Sequence, residues 1–296
     1  WITLPDIDDP ASLIASQSSV ITDRNGVELY RLFSEEDRTY ITGEQIPDHM
    51  KQAMIAIEDE RYYERGCLDM KAIMRAVIFW GRAGGGSTIT RQLARNSLNL
   101  FQDNKYNRKL KEVVLGCQLE RRFDKDELIE LYLNWIPFGQ NAYGVEQASQ
   151  IYFGVEAKDL TLAQSAVLAS LPQRPSYFNP YGRHLHTEVS EDVHKKVIEG
   201  NITKSSQIPN NKVMIGLLGD YAGTGSSLLY VGGRTDQVLQ NMEDQEFINE
   251  QERLTAIEEL ENMEFEPTRE NIRAPHFVLW IKEEIENMFS ATSEEG

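Results

Sequence analysis

The apolar positions of this chain change period near residue 47. Before it, Ser19-Val20-Ile21-Thr22 and Val27 to Phe33 flank Asp23-Arg24-Asn25-Gly26, which predicts a hairpin turning at Asn25-Gly26. After it, Met50, Ala53, Met54 and Ile57 recur at helical spacing, with Pro47 suited to a first helical turn. That helix runs to Glu58. Gly84-Gly85-Gly86 follows a helix-like segment and precedes another, over 88–99. Residues 108–122 place Leu110, Val113, Val114 and Cys117 on one face. Further helices are predicted at 125–134, around 144–152 and at 161–171. The last opens with a Thr161/Gln164 capping box and stops before Pro172. Residues 173–233 carry Pro175, Pro180, several Gly and Ser, and Val213-Met214-Ile215-Gly216-Leu217-Leu218, a pattern of loops with short strands. Helical spacing resumes over 234–242, 246–263 and 275–288. The chain is therefore mainly α with a small β component, without repeats or low-complexity tracts.

Length and charge narrow the classes. A chain of 296 residues, 41% hydrophobic, makes one large domain or two modest ones. A formal charge of −17 argues against nucleic acid as a partner of the whole surface. The charge is uneven, however. Residues 75–122 hold ten Lys/Arg and three acids, whereas 243–270 hold eleven acids and two arginines. A solvated helix face accounts for the acidic run. It accounts less well for the basic one, which surrounds a Gly-Gly-Ser-Thr turn. Cys67 and Cys117 can pair or both stay free. No run of 18 apolar residues is present to span a membrane. The chain begins at Trp1 rather than Met, which points to a trimmed or processed fragment.

Two carboxylates stand out beside that basic stretch. Glu58 ends a helix, where the dipole disfavours a negative charge, so a partly desolvated carboxylate there should be a stronger base than usual. Glu112 follows Arg108 and Lys109 by four and three residues, and these cations should keep it ionised. The glycines before Ser87 and Thr88 would let an anion approach exposed backbone N–H groups, although no P-loop lysine follows.

At these residues the chain resembles the peptidoglycan glycosyltransferases of glycosyltransferase family 51, the transglycosylase domain of class A penicillin-binding proteins. Five motifs occur in order. The first is Glu58-Asp59-Glu60-Arg61-Tyr62-Tyr63-Glu64-Arg65-Gly66-Cys67, and the second Gly85-Gly86-Ser87-Thr88-Ile89-Thr90-Arg91-Gln92. Arg108-Lys109-Leu110-Lys111-Glu112 is the third, Lys125 to Asn134 the fourth, and Arg234-Thr235-Asp236-Gln237-Val238-Leu239 the fifth. Arg65 stands where the family pattern has His, Cys67 where it has Gly, Arg91 where it has Gln, and Thr235 where it has Arg.

The resemblance implies a mainly α, lysozyme-like fold with a small jaw subdomain. It divides the chain into a lead-in over 1–45, a glycosyltransferase domain over 46–181 and 234–290, and a β-containing insertion over 182–233. It implies lipid II and the growing glycan strand as substrates, joined by β-1,4 bonds with inversion and release of polyprenyl pyrophosphate. Glu58 would be the base and Glu112 the second catalytic carboxylate, near the leaving group. Asp59, Ser87, Thr88, Arg91, Gln92, Arg95, Asn96, Lys105, Arg108, Lys109, Lys111 and Arg234 would line the substrate site. A divalent cation such as magnesium and moenomycin-type inhibitors are implied ligands. His184, His186 and His194 form only a loose metal-like spacing and are read as loop residues, so no protein metal site is assigned. The resemblance also implies a place at the membrane surface, on the outer face of the bacterial cytoplasmic membrane, and a parent protein with a transpeptidase domain. No Ser-x-x-Lys of a penicillin target occurs in these residues. A lysozyme-like muramidase and a lipid II-binding scaffold of weak activity are the rival readings. The cationic stretch speaks against the muramidase, which has no pyrophosphate to hold.

Overall fold

The computed structural model describes residues 18–32, 37–67, 88–98, 100–102, 104–265, 274 and 276–284. Gly84 to Ser87, and the helix-like stretch before them, lie outside the described residues.

The hairpin forms as predicted. β1 (Ser19–Thr22) pairs antiparallel with β2 (Glu28–Leu32), and the Asp23 carboxylate accepts the Asn25 and Val27 backbone N–H groups across the turn. β3 (Asp37–Arg38) runs parallel to a later strand. α1 (Asp48–Glu58) begins one residue after Pro47, which serves as its N-cap. It buries Met50, Ala53, Met54, Ile55 and Ala56, a wide arc. The reason is that two later helices pack on it.

α2 (Ile89–Ser97) is capped by the Thr88 hydroxyl, which accepts the Arg91 N–H. α3 (Lys105–Arg122) starts three residues before the predicted 108, because the Asn104 side chain caps it by accepting the Asn107 N–H. α4 (Lys125–Trp135) opens with an Asp124/Glu127 capping box. The sequence pattern missed the next element. β4 (Pro137–Gly139) and β5 (Ala142–Tyr143) form a short antiparallel ladder, turned by Gln140 and Asn141 at positive φ, and β5 takes β3 on its other edge.

α5 (Val145–Phe153) and α6 (Leu162–Ser170) follow, the latter behind the expected Thr161/Gln164 box. After the 173–233 region come α8 (Arg234–Asp244) and α9 (Glu250–Glu261). α9 starts four residues later than predicted: Glu246 has φ of 61° and Asn249 supplies the N-cap. A final helix covers 276–284. The main core joins α1, α2, α4, α5, α6, α8 and α9 around Met50, Leu93, Leu131, Phe138, Val167 and Leu239.

Between α6 and α8, β6 (Glu188–Val189) pairs with β7 (Val213–Met214), and β8 (Asp220–Thr224) with β9 (Ser227–Val231). α7 (Glu191–Ile198) packs on β8 and β9. This unit has a small core of its own, made by Val193, Val197, Ile202, Ile208, Ala222 and Val231. α7 was not predicted. Its apolar stripe is only Val193 and Val197, too short a signal between loops.

Two long-range ties hold the frame. Asn134 on α4 is buried, accepts the Ile41 N–H at 2.9 Å and donates to the Ile41 carbonyl at 2.9 Å, clamping the segment before α1. Cys67 and Cys117 form a disulfide across a sequence separation of 50, which settles the open question of their pairing. It binds the loop after α1 to the middle of α3. Replacing Asn134 by Ala leaves two buried backbone groups without partners. The expected loss is about 3 kcal/mol in a urea titration. Joint Cys67→Ser and Cys117→Ser substitution is expected to lower stability by about 2–4 kcal/mol in the same measurement, since the bond closes a long loop.

Candidate active site

Glu58 is the last residue of α1. α8 supports that helix end from the side. Asn241 and Gln245 both donate to the Ala56 carbonyl, each at 3.1 Å, so one orphan carbonyl of the last turn is doubly satisfied. Glu58 itself is held from α2. Gln92 Nε2 donates to Glu58 Oε2 at 2.7 Å, and Gln92 Oε1 accepts from the Tyr132 hydroxyl at 3.3 Å. Tyr132 is fully buried on α4. Burial pushes its phenol far above the ordinary range, and the Glu58 charge adds to this. Tyr132 therefore stays a neutral donor that orients the Gln92 amide. The first, second and fourth motifs meet in this chain of three side chains. Tyr132 falls inside the fourth motif, but nothing in the sequence shows that its hydroxyl faces Gln92.

Asp59 and Arg65 form the brace beneath. Arg65 grips Asp59 through Nε, at 2.8 Å from Oδ1, and through Nη2, and gives Nη1 to Glu120 Oε1 at 2.9 Å. Asp59 Oδ2 also accepts the Ile89 N–H at the start of α2, at 3.2 Å. Glu120 further accepts from the Thr90 hydroxyl and pairs with Lys125. Tyr62 lies fully buried under both cations. Two acids and two bases thus close into a buried, charge-balanced cluster. Burial alone would raise the Glu120 carboxyl, but hydrogen bonds from Thr90, Lys125 and Arg65 prevail and hold it below its usual value. The carboxylate of Asp59 is engaged by Arg65 and Ile89, so the structure gives it a bracing role. Arg65, which stands where the family pattern has His, is structural here.

Glu112 lies on the face of α3 that meets α2. Gly116, one turn on, faces Arg91 so closely that a Cβ there would stand 3.3 Å from Arg91 Cγ. Glu112 is 1% exposed. Lys109 Nζ donates to its Oε2 at 2.7 Å, Arg108 Nε stands 3.7 Å from Oε1, and Oε1 has no hydrogen-bond partner. A single carboxylate between two cations does not fit a protein-built cage for a divalent metal. Among the described residues no group of three His, Cys, Asp or Glu could hold one. The loop histidines go separate ways: His184 stacks on Tyr177, and His194 Nδ1 accepts the Gly223 N–H.

Around these two acids lie the cations. Lys105, Arg108 and Lys109 sit in the first turns of α3, with no acid among them in the first turn. Lys111 is half-buried on the same helix. On α2, Arg95 reaches over the Phe101 ring with its Nε buried and unpartnered, and Asn96 is half-buried one turn beyond Gln92. Arg234 opens α8 and donates to Gln237 Oε1. Burial lowers its pKa, and the Glu58 charge opposes that shift. Thr88 is buried and spends its oxygen on the α2 cap. Ser87 lies outside the described residues.

Because Glu120 is depressed, its contribution to stability is present above the ordinary carboxylate pKa and is lost as pH falls through the folded value. Glu120→Gln should therefore cost most near pH 7 and progressively less on acidification. Urea midpoints recorded across pH 2–7 check this.

A family model described as transglycosylase matches residues 25–200. Penicillin-binding protein 1F of Bacillus subtilis (strain 168) is 44% identical over 176 residues, 58% of this chain and 24% of that protein. Penicillin-binding protein 1A of Aquifex aeolicus (strain VF5) is 42% identical over 182 residues, 60% of this chain and 25% of that protein. Penicillin-binding protein 1A of Escherichia coli (strain K12) is 47% identical over 157 residues, 52% of this chain and 18% of that protein. The chain thus spans a quarter or less of the length of these relatives. The family match covers more than half of the chain, and the chain belongs to the transglycosylase family.

Proposed function

We propose that this chain polymerises lipid II into β-1,4-linked glycan strands and releases polyprenyl pyrophosphate. The observation that carries the reading is the joining of Glu58 to α2 through Gln92. The same helix presents Arg91 to the cation-bearing α3. A base and an anion-binding wall are thereby fixed to one rigid element.

The chemistry follows from those positions. Gln92 occupies Glu58 Oε2, which leaves Oε1 to take the proton of the acceptor's 4-hydroxyl. The freed oxygen attacks the donor anomeric carbon as its bond to pyrophosphate breaks, so a single displacement inverts the centre. Negative charge grows on the departing diphosphate. Lys105, Arg108, Lys109 and Lys111 on α3, and Arg91 and Arg95 on α2, are the groups that stabilise it. Cations in the first turns of a helix oppose its dipole, and an anion there relieves both. The buried Glu112 carboxylate keeps Arg108 and Lys109 in place by pairing with both. No step is assigned to a metal, because the donor set around Glu112 does not build a cage for one.

The proposal extends to setting. Phe101, Tyr106 and Leu110 are exposed beside these cations, Tyr106 by 86%, which suits a surface meeting lipid and its headgroups. The disulfide suits an oxidising compartment, such as the outer face of the cytoplasmic membrane. Among the described residues no helix is long and apolar enough to cross a membrane. A parent with a transpeptidase domain, and binding of moenomycin-type donor mimics at the cationic wall, belong to the same reading. A muramidase would not need that wall.

The test is turnover of purified lipid II in detergent. Polymer with released polyprenyl pyrophosphate supports the reading; shortened glycan from a preformed strand supports the muramidase instead. Glu58→Gln is expected to lower polymerisation by about 10²–10⁴-fold while lipid II still binds and the melting temperature holds. Undiminished polymerisation by this variant would reject Glu58 as the base.

A further inference from the structure

Residues 216–235 hold an arrangement that the five motifs do not explain. The Arg234 N–H donates to the Gly216 carbonyl at 2.9 Å, and the Thr235 N–H to the Leu217 carbonyl at 3.0 Å. The Thr235 hydroxyl donates to that same Leu217 carbonyl at 3.0 Å. The Gly233 N–H is taken by Asp236 Oδ2 at 2.7 Å, and Asp236 Oδ1 accepts the Tyr230 hydroxyl from β9. The N–H groups of Gly233, Arg234 and Thr235, which a free helix start would offer to water or an anion, are therefore spent. Two of them are spent on the backbone just before β8.

The contact is close and specific. A Cβ on Gly233 would lie 2.4 Å from the backbone carbon of Leu218, and one on Gly216 would lie 2.3 Å from that of His186. Thr235 is fully buried. An arginine, which the family pattern has here, would find no room or water at this position. Leu217 and Leu218 belong to the main core, whereas the strands and helix around them carry a core of their own. The small unit is thus pinned to the start of α8 by backbone hydrogen bonds and by one side-chain hydroxyl.

α8 carries the effect onward. Its first turn bears Arg234, the helix packs along α1, and its Asn241, with Gln245 just beyond, holds the Ala56 carbonyl two residues before Glu58. We propose that Thr235 is a positioning residue of the glycosyl-transfer site: anchored on the Leu217 carbonyl of the small β-containing unit, it sets the seat of α8 on α1 and so the placement of Arg234 relative to Glu58. This rests on the polymerase reading for its consequence in turnover, but not for its geometry. It also assigns a role to residues 182–233, which would act on the site through α8 rather than by touching substrate.

The experiment uses the whole chain and reads two signals. The first is the Arg234 Nε–H resonance in a spectrum of ¹⁵N-arginine-labelled protein. Glu58→Gln should shift it in the parent chain, and in a Thr235→Val background that shift should shrink by at least about half, since the charge then acts over a longer distance. An equal shift in both backgrounds overturns the proposal, whether or not the chain turns over lipid II. The second signal is lipid II turnover. Thr235→Val should lower kcat by about tenfold with KM little changed, and Thr235→Ser, which keeps the hydroxyl, should restore it. On an Arg234→Ala background Thr235→Val should cost little more, because its effect passes through Arg234. A full independent loss on that background, or no rescue by serine at an unchanged melting temperature, would make Thr235 a merely structural residue. Absence of turnover in the parent chain would reject the polymerase reading and leave the resonance to decide the positioning.

Discussion

The site depends first on the buried contact of Arg65 with Asp59 and Glu120. Taking four charges out of water is costly, and such a cluster is stable only when every charge is countered and hydrogen-bonded. Here the guanidinium fork serves two acids on different elements, while Thr90 and Lys125 complete Glu120. The cluster therefore tolerates few geometries. The turn after α1, the start of α2, the end of α3 and the start of α4 must all arrive together. Glu58, one residue before Asp59, inherits its position from that requirement.

The disulfide reinforces the same junction. Cys67 lies two residues after Arg65, and Cys117 three before Glu120. A covalent tie and an ionic one thus join the same loop to the same helix. Within this rigid corner the first turns of α3 remain locally unfavourable, with lysines and an arginine at the positive end of the helix dipole. Local conflict of this kind is expected at functional sites, where a ligand's charge resolves what the fold leaves unbalanced. The rigid corner holds Glu58, and the start of α3 keeps an unbalanced positive charge.

α8 plays a different part. It touches α1 at one end and the small β-containing unit at the other, and both contacts use polar side chains on backbone carbonyls. Backbone acceptors cannot change with sequence, so such contacts transmit position well. Thr235 and Arg65, which both depart from the family pattern, turn out to be matched to partners that the pattern does not contain: the Leu217 carbonyl and Glu120.

Much of this was legible without coordinates wherever the signal is local. Helical period, the Thr161/Gln164 box and the Asn25-Gly26 turn act within a few residues; the box and the turn appear where the pattern put them, and the helices do so to within a few residues at their starts. The two carboxylates and the basic stretch were also visible, because charge and motif order are properties of the chain itself. What stayed hidden involves partners far apart in sequence. Nothing near Gln92 says that it will hold Glu58, or that Tyr132 will hold Gln92 in turn. Arg65 reads only as a departure from the family pattern until Glu120, 55 residues away, comes beside it. The β4–β5 ladder and α7 went unseen because their apolar runs are too short to outweigh their loops, and only packing against the rest of the molecule makes them stable. The sequence alone therefore determined the element types and the inventory of reactive groups, since these follow from short-range backbone preference and side-chain chemistry. Tertiary structure decided which groups are buried, paired and aimed at one another, because burial and long-range contact exist only once the whole chain has folded.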